Sequence, residues 1–256
     1  RIYDAFLFNN FTAGDQTGSW RVGKQVVSWG ESTFIQNGIN AINPVDVSKL
    51  RVAGAELKQA FLPVNMVWGS LNLSDRFSIE AFYQLDYDET DADPVGTYFS
   101  TNDFAVIGGR YVMLNFGTVP QPVINPNLFD TVCVNGNYGA SDTGLPANLV
   151  AAGCSAAFPR SPTRKPQDDG QGGIALRYFA DWLNNTEFGF YAMRYHSRVP
   201  LISGYAVTTT APNSGSFFTE YPEGIRLFGL SFNTLLERSG VALQGEVSYR
   251  PNMPFQ

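Results

Sequence analysis

Between Arg76 and Tyr87 every second side chain is apolar: Phe77, Ile79, Ala81, Tyr83, Leu85 and Tyr87 alternate with Ser78, Glu80, Phe82, Gln84 and Asp86. A period of two puts the two sets on opposite faces of a β-strand, whereas a helix would scatter both around its circumference. The same pattern runs from Gly240 to Arg250, with Val241, Leu243, Val247 and Tyr249 against Gln244, Glu246 and Arg250. It recurs from Ile174 to Trp182, with Ile174, Leu176, Tyr178, Ala180 and Trp182 against Ala175, Arg177, Phe179 and Asp181. Each run has about ten residues, the length that crosses a bilayer at the tilt of a barrel strand, while strands of soluble proteins average about 5–6. Weaker alternation from Ile2 to Phe8, Trp20 to Trp29, Val64 to Leu73, Thr186 to Ser197 and Ile225 to Leu235 brings the expectation to eight strands. Lys24 and Arg194 interrupt the apolar set in two of these and leave their faces unassigned.

The connections carry a second regularity. Short links (Asn9 to Ser19; Ser74 and Asp75; Asn184 and Asn185; Glu237 to Ser239) alternate with long ones (Gly30 to Pro63, Asp88 to Gly172, Arg198 to Gly224). An up-and-down antiparallel transmembrane barrel, with tight periplasmic turns and long extracellular loops, predicts that parity; a Greek-key sandwich does not. With tight turns in the periplasm, both ends of these eight strands fall on the extracellular side. The expectation is therefore a fragment of a larger barrel, with at least one strand before Arg1 and one after Gln256. A larger barrel encloses a channel or a plug, whereas eight strands pack shut. The amphipathic run from Phe104 to Asn115 would break the parity as a spanning strand, so it belongs to the extracellular excursion or the lumen.

Composition narrows the function classes. Charged residues are 16% of the chain, below the ~25% of soluble domains. The net charge is −6 with the 17 basic residues scattered singly, so no basic stripe meets phosphates and no nucleic-acid partner is expected. No run of about 18 apolar residues exists to make a spanning helix, a test that is silent on barrels. His196 is the only histidine, and no zinc spacing, phosphate loop or nucleophile elbow accompanies it. No enzyme, cofactor or metal is expected; His196 reads as a strand-end residue before it reads as a general base. The acidic run Asp86, Asp88, Glu89, Asp91 and Asp93 lacks calcium-loop spacing and reads first as a solvated loop. Cys133 and Cys154 share a Gly- and Asn-rich stretch suited to a loop disulfide of an oxidising compartment, the alternative being two unpaired thiols.

Several blocks resemble a known family. They are Arg21-Val-Gly-Lys-Gln-Val-Val-Ser-Trp-Gly-Glu-Ser-Thr-Phe-Ile-Gln36, Ile42-Asn-Pro-Val-Asp-Val-Ser48, Ala55-Glu-Leu-Lys58, Gly96-Thr-Tyr-Phe-Ser-Thr-Asn-Asp103, Tyr221-Pro-Glu-Gly-Ile-Arg226 and Gly245-Glu-Val-Ser-Tyr-Arg-Pro251. Together they resemble the proteobacterial outer-membrane family catalogued as domain of unknown function 1302. The resemblance implies an outer-membrane β-barrel working with a periplasmic lipoprotein-carrier-like protein and an inner-membrane exporter on lipids or hydrophobic molecules, and it supplies no catalytic residues.

The resulting expectation is an all-β chain of one barrel domain in the bacterial outer membrane, in contact with its lipid. It passes a small hydrophobic or amphipathic molecule, or a lipid, between surface and periplasm. A structural or adhesive barrel with a filled pore, and a secreted glycan-binding β protein, stand as alternatives. Glu80, Gln84, Arg177, Asp181 and Glu246 are expected in the lumen as selectivity groups or as a space-filling salt-bridge network, and Gln84→Arg is expected to be nearly neutral for folding. Residues 30–63 are expected to fold inward as a plug or gate, since Phe34, Ile35, Ile39, Ile42, Leu57 and Phe61 are too apolar for a free loop. Asn43 and Asp46 flank a tight turn at Pro44, and Glu31 and Asp46 are expected to meet lumenal arginines such as Arg177. Residues 88–172 form a long extracellular excursion.

Overall fold

The computed structural model describes residues 3–31, 38–54, 59–100, 102–113, 148, 157–207, 215–236 and 238–256. Its strands are β1 (Ala5–Ala13), β2 (Gln16–Gln25), β3 (Val64–Ser74), β4 (Phe77–Gln84), β5 (Tyr111–Met113), β6 (Ala157–Pro159), β7 (Gly172–Ala180), β8 (Thr186–Tyr195), β9 (Leu201–Tyr205), β10 (Ser216–Glu220), β11 (Ile225–Leu236) and β12 (Val241–Tyr249). Eight of them make one sheet in the order β1-β2-β3-β4-β7-β8-β11-β12, antiparallel at every pairing. The alternating apolar runs thus fold as a meander. The four tight turns lie at one end of the sheet and the three long connections at the other, as the parity requires. The positive-φ residues Asn184 (φ 49) and Asn185 (φ 54) close the β7–β8 turn, where an Asn side chain tolerates the left-handed region. β1 and β12 are the two edges, and no pairing between them occurs among the described residues.

The chain divides into two compact units. The first comprises Arg1–Ala92, Lys165–Leu201 and Tyr221–Gln256, and holds the whole eight-stranded sheet. One face of that sheet is covered by the connection between β2 and β3. Val27, Trp29, Ile39 and Ile42 from this connection bury against Val64, Met66, Phe82, Ala175, Tyr191, Met193, Ile225 and Leu227 of the strands. Among the described residues nothing covers the opposite face, which is called the bare face below.

The second unit comprises Asp93–Arg164 and Ile202–Glu220. The sequence reading keeps these as separate connections; the structure folds them together. β5 pairs with β6 and β10 with β9, while the bridges Arg160↔Phe217 and Arg164↔Glu220 tie one stretch to the other. Arg160 donates to the Val106 carbonyl and to Thr219 Oγ1, and the Arg164 guanidinium lies 4.2 Å over the Phe218 ring. Among its described residues, the run from Phe104 to Asn115 contributes the three-residue β5. Cys133 and Cys154, like Phe34, Ile35 and Leu57, lie outside the described residues.

Candidate functional site

β2 ends at Gln25, not at Trp29, because the chain leaves the sheet there and crosses its face as a strap. Gln25 and Asn43 fix the departure. Gln25 Nε2 donates to the Met66 carbonyl at 2.9 Å. Asn43 accepts the Val27 amide at 3.0 Å and donates to the carbonyls of Gln25 (3.2 Å) and Leu62 (2.9 Å), so one buried amide joins the two limbs of the strap. Between the limbs, Asp46 donates its amide to the Ala60 carbonyl, and Leu62 donates to that of Pro44. Asp46 carboxylate Oδ1 accepts from the amide and hydroxyl of Ser48, starting a 3-10 turn at Lys49–Arg51. The expected meeting with Arg177 is not seen: the short side chain is engaged by its own turn, as Asx residues commonly are.

Trp29 lies fully buried, its ring 5.0 Å from Phe82 and 5.8 Å from Tyr191. Two strand glycines make room for the strap. A Cβ at Gly173 would come within 3.0 Å of the Trp29 ring, and one at Gly229 within 2.7 Å of Ile39 Cγ1. A glycine inside a strand often marks such a close approach, and this signal was available in the sequence.

The polar groups of the covered face form a chain across β4, β7 and β8. Glu80 accepts from Trp29 Nε1 at 2.9 Å and from Arg177 Nε at 3.0 Å, and Arg177 Nη1 reaches Glu187 Oε1 at 2.8 Å. Glu80, Gln84, Arg177 and Glu246 all lie on this face. Asp181 does not: it follows β7 in the turn, where it pairs with Arg76 at 2.6 Å, exposed to solvent, because the strand ends at Ala180.

Glu246 of β12 holds the strap's neck. Its two carboxylate oxygens accept the amides of Glu31 (2.7 Å) and Ile39 (2.8 Å), closing the stretch between them, and Arg250 donates to the Gly38 carbonyl. The Glu31 side chain accepts from Asn233 at 3.2 Å rather than from Arg177, whose guanidinium is committed to Glu80 and Glu187. Burial, and next the Glu187 carboxylate, push the Glu31 carboxyl above its ordinary value.

At the end of the sheet with the long connections, Arg198 is buried. It donates to the carbonyls of Ile42 (2.9 Å) and Asp88 (3.0 Å) and to Gln84 Oε1, while Gln84 Nε2 donates to the Ile42 carbonyl at 2.8 Å. Burial pushes the guanidinium down to about 10. Gln84 is fully buried, so an arginine there would face Arg198; near-neutrality of Gln84→Arg is corrected accordingly. Tyr87 lies under the same guanidinium at 5.2 Å and donates to the Ser197 carbonyl at 2.8 Å; burial pushes its phenol up. Nothing in the sequence marks Arg198 as buried. His196 is buried as well, accepting the Gly224 amide at Nδ1 (3.0 Å) and lying 2.9 Å from the Asp169 carbonyl through Nε2. Both ring nitrogens thus hold loops in place. The acidic run engages its neighbours too, Asp86 accepting from Asn65 at 2.7 Å and Glu89 pairing with Lys165 at 3.0 Å.

Toward the tight turns, the covered face opens into a cavity of about 470 Å³ lined chiefly by polar side chains, among them Thr17, Asn72, Ser78, Arg177 and Glu187. Strap, charge chain and cavity share the covered face of the sheet, the apolar strap at one end and the polar cavity at the other. Among the described residues, no group of His, Cys, Asp and Glu is arranged to hold a metal.

The profile of the family described as protein of unknown function DUF1302 matches residues 1–256, the whole chain. The chain belongs to this family. No curated protein and no solved structure matches it. Family membership thus adds no catalytic or ligand-binding residue to those the geometry assembles.

Proposed function

We propose that this member of the family forms part of a bacterial outer-membrane β-barrel that passes a small hydrophobic or amphipathic molecule, with the strap as its gate. The bare face carries the reading. Each of the eight strands exposes at least one large apolar side chain there: Leu7, Trp20, Val67, Tyr83, Ile174, Phe190, Phe228 and Val247. An apolar field that spans a whole sheet, far beyond the few hundred Å² of a soluble surface, fits lipid. The other face pairs charges and holds the strap, which fits a lumen. β1 exposes Leu7 on the bare face and Phe8 on the other, at 74% and 66%, an edge apolar on both sides that suits pairing with a further strand. The family resemblance adds a periplasmic lipoprotein-carrier-like protein and an inner-membrane exporter as partners.

Conductance and dye permeability of the complete barrel, reconstituted with this chain in it, test the gate. Deleting Ser32 to Leu57 is expected to raise both while the sheet stays folded. A folded deletion variant with unchanged permeability would move the assignment to a structural or adhesive barrel, which the close packing of the strap also accommodates.

A further inference from the structure

Arg194 of β8 and Arg226 of β11 are direct cross-strand partners, both exposed on the bare face where the strands meet the long connections. Side chains directly opposite in an antiparallel pair stand about 4.5–5.5 Å apart at Cβ, and like charges so placed repel. No carboxylate pairs with either one among the described residues. The surroundings hold the arginines rather than dispersing them. The Arg194 guanidinium rests beside Gly170 and Gly224, where an added Cβ would lie 3.3 Å from Nη1 and 3.1 Å from Nη2. Gly224 in turn is fixed by Asn252, which donates to its carbonyl at 2.9 Å and accepts the Arg226 amide at 2.8 Å. Beside Arg194 in the sheet stands Gly172, which puts no side chain over the pair. Along the same face lie the exposed side chains of Ile174, Phe190, Phe228 and Leu230.

Two uncompensated guanidinium groups at the border of an apolar field match an amphiphile whose head is a phosphate and whose tails are hydrocarbon. We infer that Arg194 and Arg226 bind the phosphate headgroup of an anionic lipid, whose acyl chains lie along Ile174, Phe190, Phe228 and Leu230. An oxyanion between the two forks accepts from both and turns their repulsion into attraction, since guanidinium meets phosphate in bidentate geometry. The inference rests on the membrane-spanning reading above. It also gives a role to two directly paired arginines at the border of an apolar field.

The full chain, reconstituted into phosphatidylcholine vesicles with and without a diphosphorylated glucosamine lipid, tests it by flotation and by the lipid retained after detergent extraction. The wild-type chain is expected to float in both and to retain the phosphorylated lipid selectively. Arg194→Gln and Arg226→Gln, read singly and together, are expected to float equally while losing about fivefold of that selectivity per arginine; the single variants decide should the double variant fail to insert. Arg238→Gln, in the β11–β12 turn, is the charge control and is expected to retain the lipid as wild type does. Equal retention by wild type and the Arg194 and Arg226 variants, with normal flotation, would overturn the inference alone. Displacement of the lipid by inorganic phosphate at matched concentration would overturn the assignment to a lipid headgroup. Failure of the wild-type chain to float in either vesicle would overturn the membrane reading itself.

Discussion

Replacing Asn43 by alanine is expected to loosen the strap on the sheet it covers. The Asn43 side chain makes three hydrogen bonds to backbone groups, of Gln25 at the last position of β2 and of Val27 and Leu62 in the strap. A net contribution of about 0.5–1.5 kcal/mol per bond, with the buried Val27 amide left unpaired, gives a cost of roughly 2–4 kcal/mol. That loss is smaller than the burial of Trp29, Ile39 and Ile42, at about 1.5–3 kcal/mol each, so the strap stays on the face but opens more often. An opening equilibrium shifted by this amount speeds exchange of strap amides by about 30- to 1000-fold. The amides of Asp46 and Leu62, bonded across the strap at 2.8 Å, report it, while those of the β3–β4 ladder should keep their protection. Asn43→Asp sharpens the test. It keeps the acceptor for Val27 but turns a second oxygen toward two carbonyls, so it should open the strap at least as much at neutral pH and recover toward acid pH. Strap and ladder amides accelerating together in Asn43→Ala would show that the strap does not open separately, and unchanged exchange would show that Asn43 does not clamp it.

Two further outcomes follow from the faces and from Glu31. Ile79→Arg on the bare face should cost ~2–4 kcal/mol in bilayer unfolding measurements, whereas Asn72→Lys beside the polar cavity should cost well under ~1 kcal/mol; comparable costs would refute the assignment of lipid and lumen faces. The raised Glu31 carboxyl keeps its proton in the folded chain at pH values where the unfolded chain has lost it, so its contribution to stability is lost as pH rises from the ordinary carboxylate range through the raised value. Strap protection measured by exchange should therefore fall across that window, Glu31→Gln should flatten the fall, and a rise over the same window would contradict the burial of this carboxyl.

Strand alternation made most of the sheet legible in the sequence, and the same alternation explains where the reading stopped. Val27 and Trp29 continue the period of β2 after the chain has left the sheet at Gln25, because an extended strap lying on a surface buries every second residue just as a strand does. Lys24 and Arg194 looked like breaks in an apolar face; they lie at the ends of β2 and β8, where that face reaches the long connections. Asp181 kept the period of β7 by one residue too many. Period alone cannot say where hydrogen bonding to a neighbour ends. The second unit was illegible for another reason: Arg160 bridges Phe217 although β7, β8 and β9 lie between them in the sequence, a pairing that no local pattern encodes.

The candidate site was legible as a set of residue types and illegible as a set of partners, and the difference bears on how a gate can work. Register puts Glu80 on the face opposite Ile79 and Ala81, yet it says nothing of a second partner, Trp29, which comes from the strap. That double engagement has an energetic consequence. When the strap lifts, Glu80 loses the indole but keeps the Arg177 guanidinium, so no carboxylate is stranded in a low-dielectric interior. The neck is different in kind. Glu246 receives two backbone amides of the strap itself, at 2.7 and 2.8 Å, and both must find new acceptors if the neck opens. A strap that moves with least cost therefore swings its Trp29 limb away from Glu80 while Glu246 retains the neck, leaving β12 as the strand to which the moving segment stays attached.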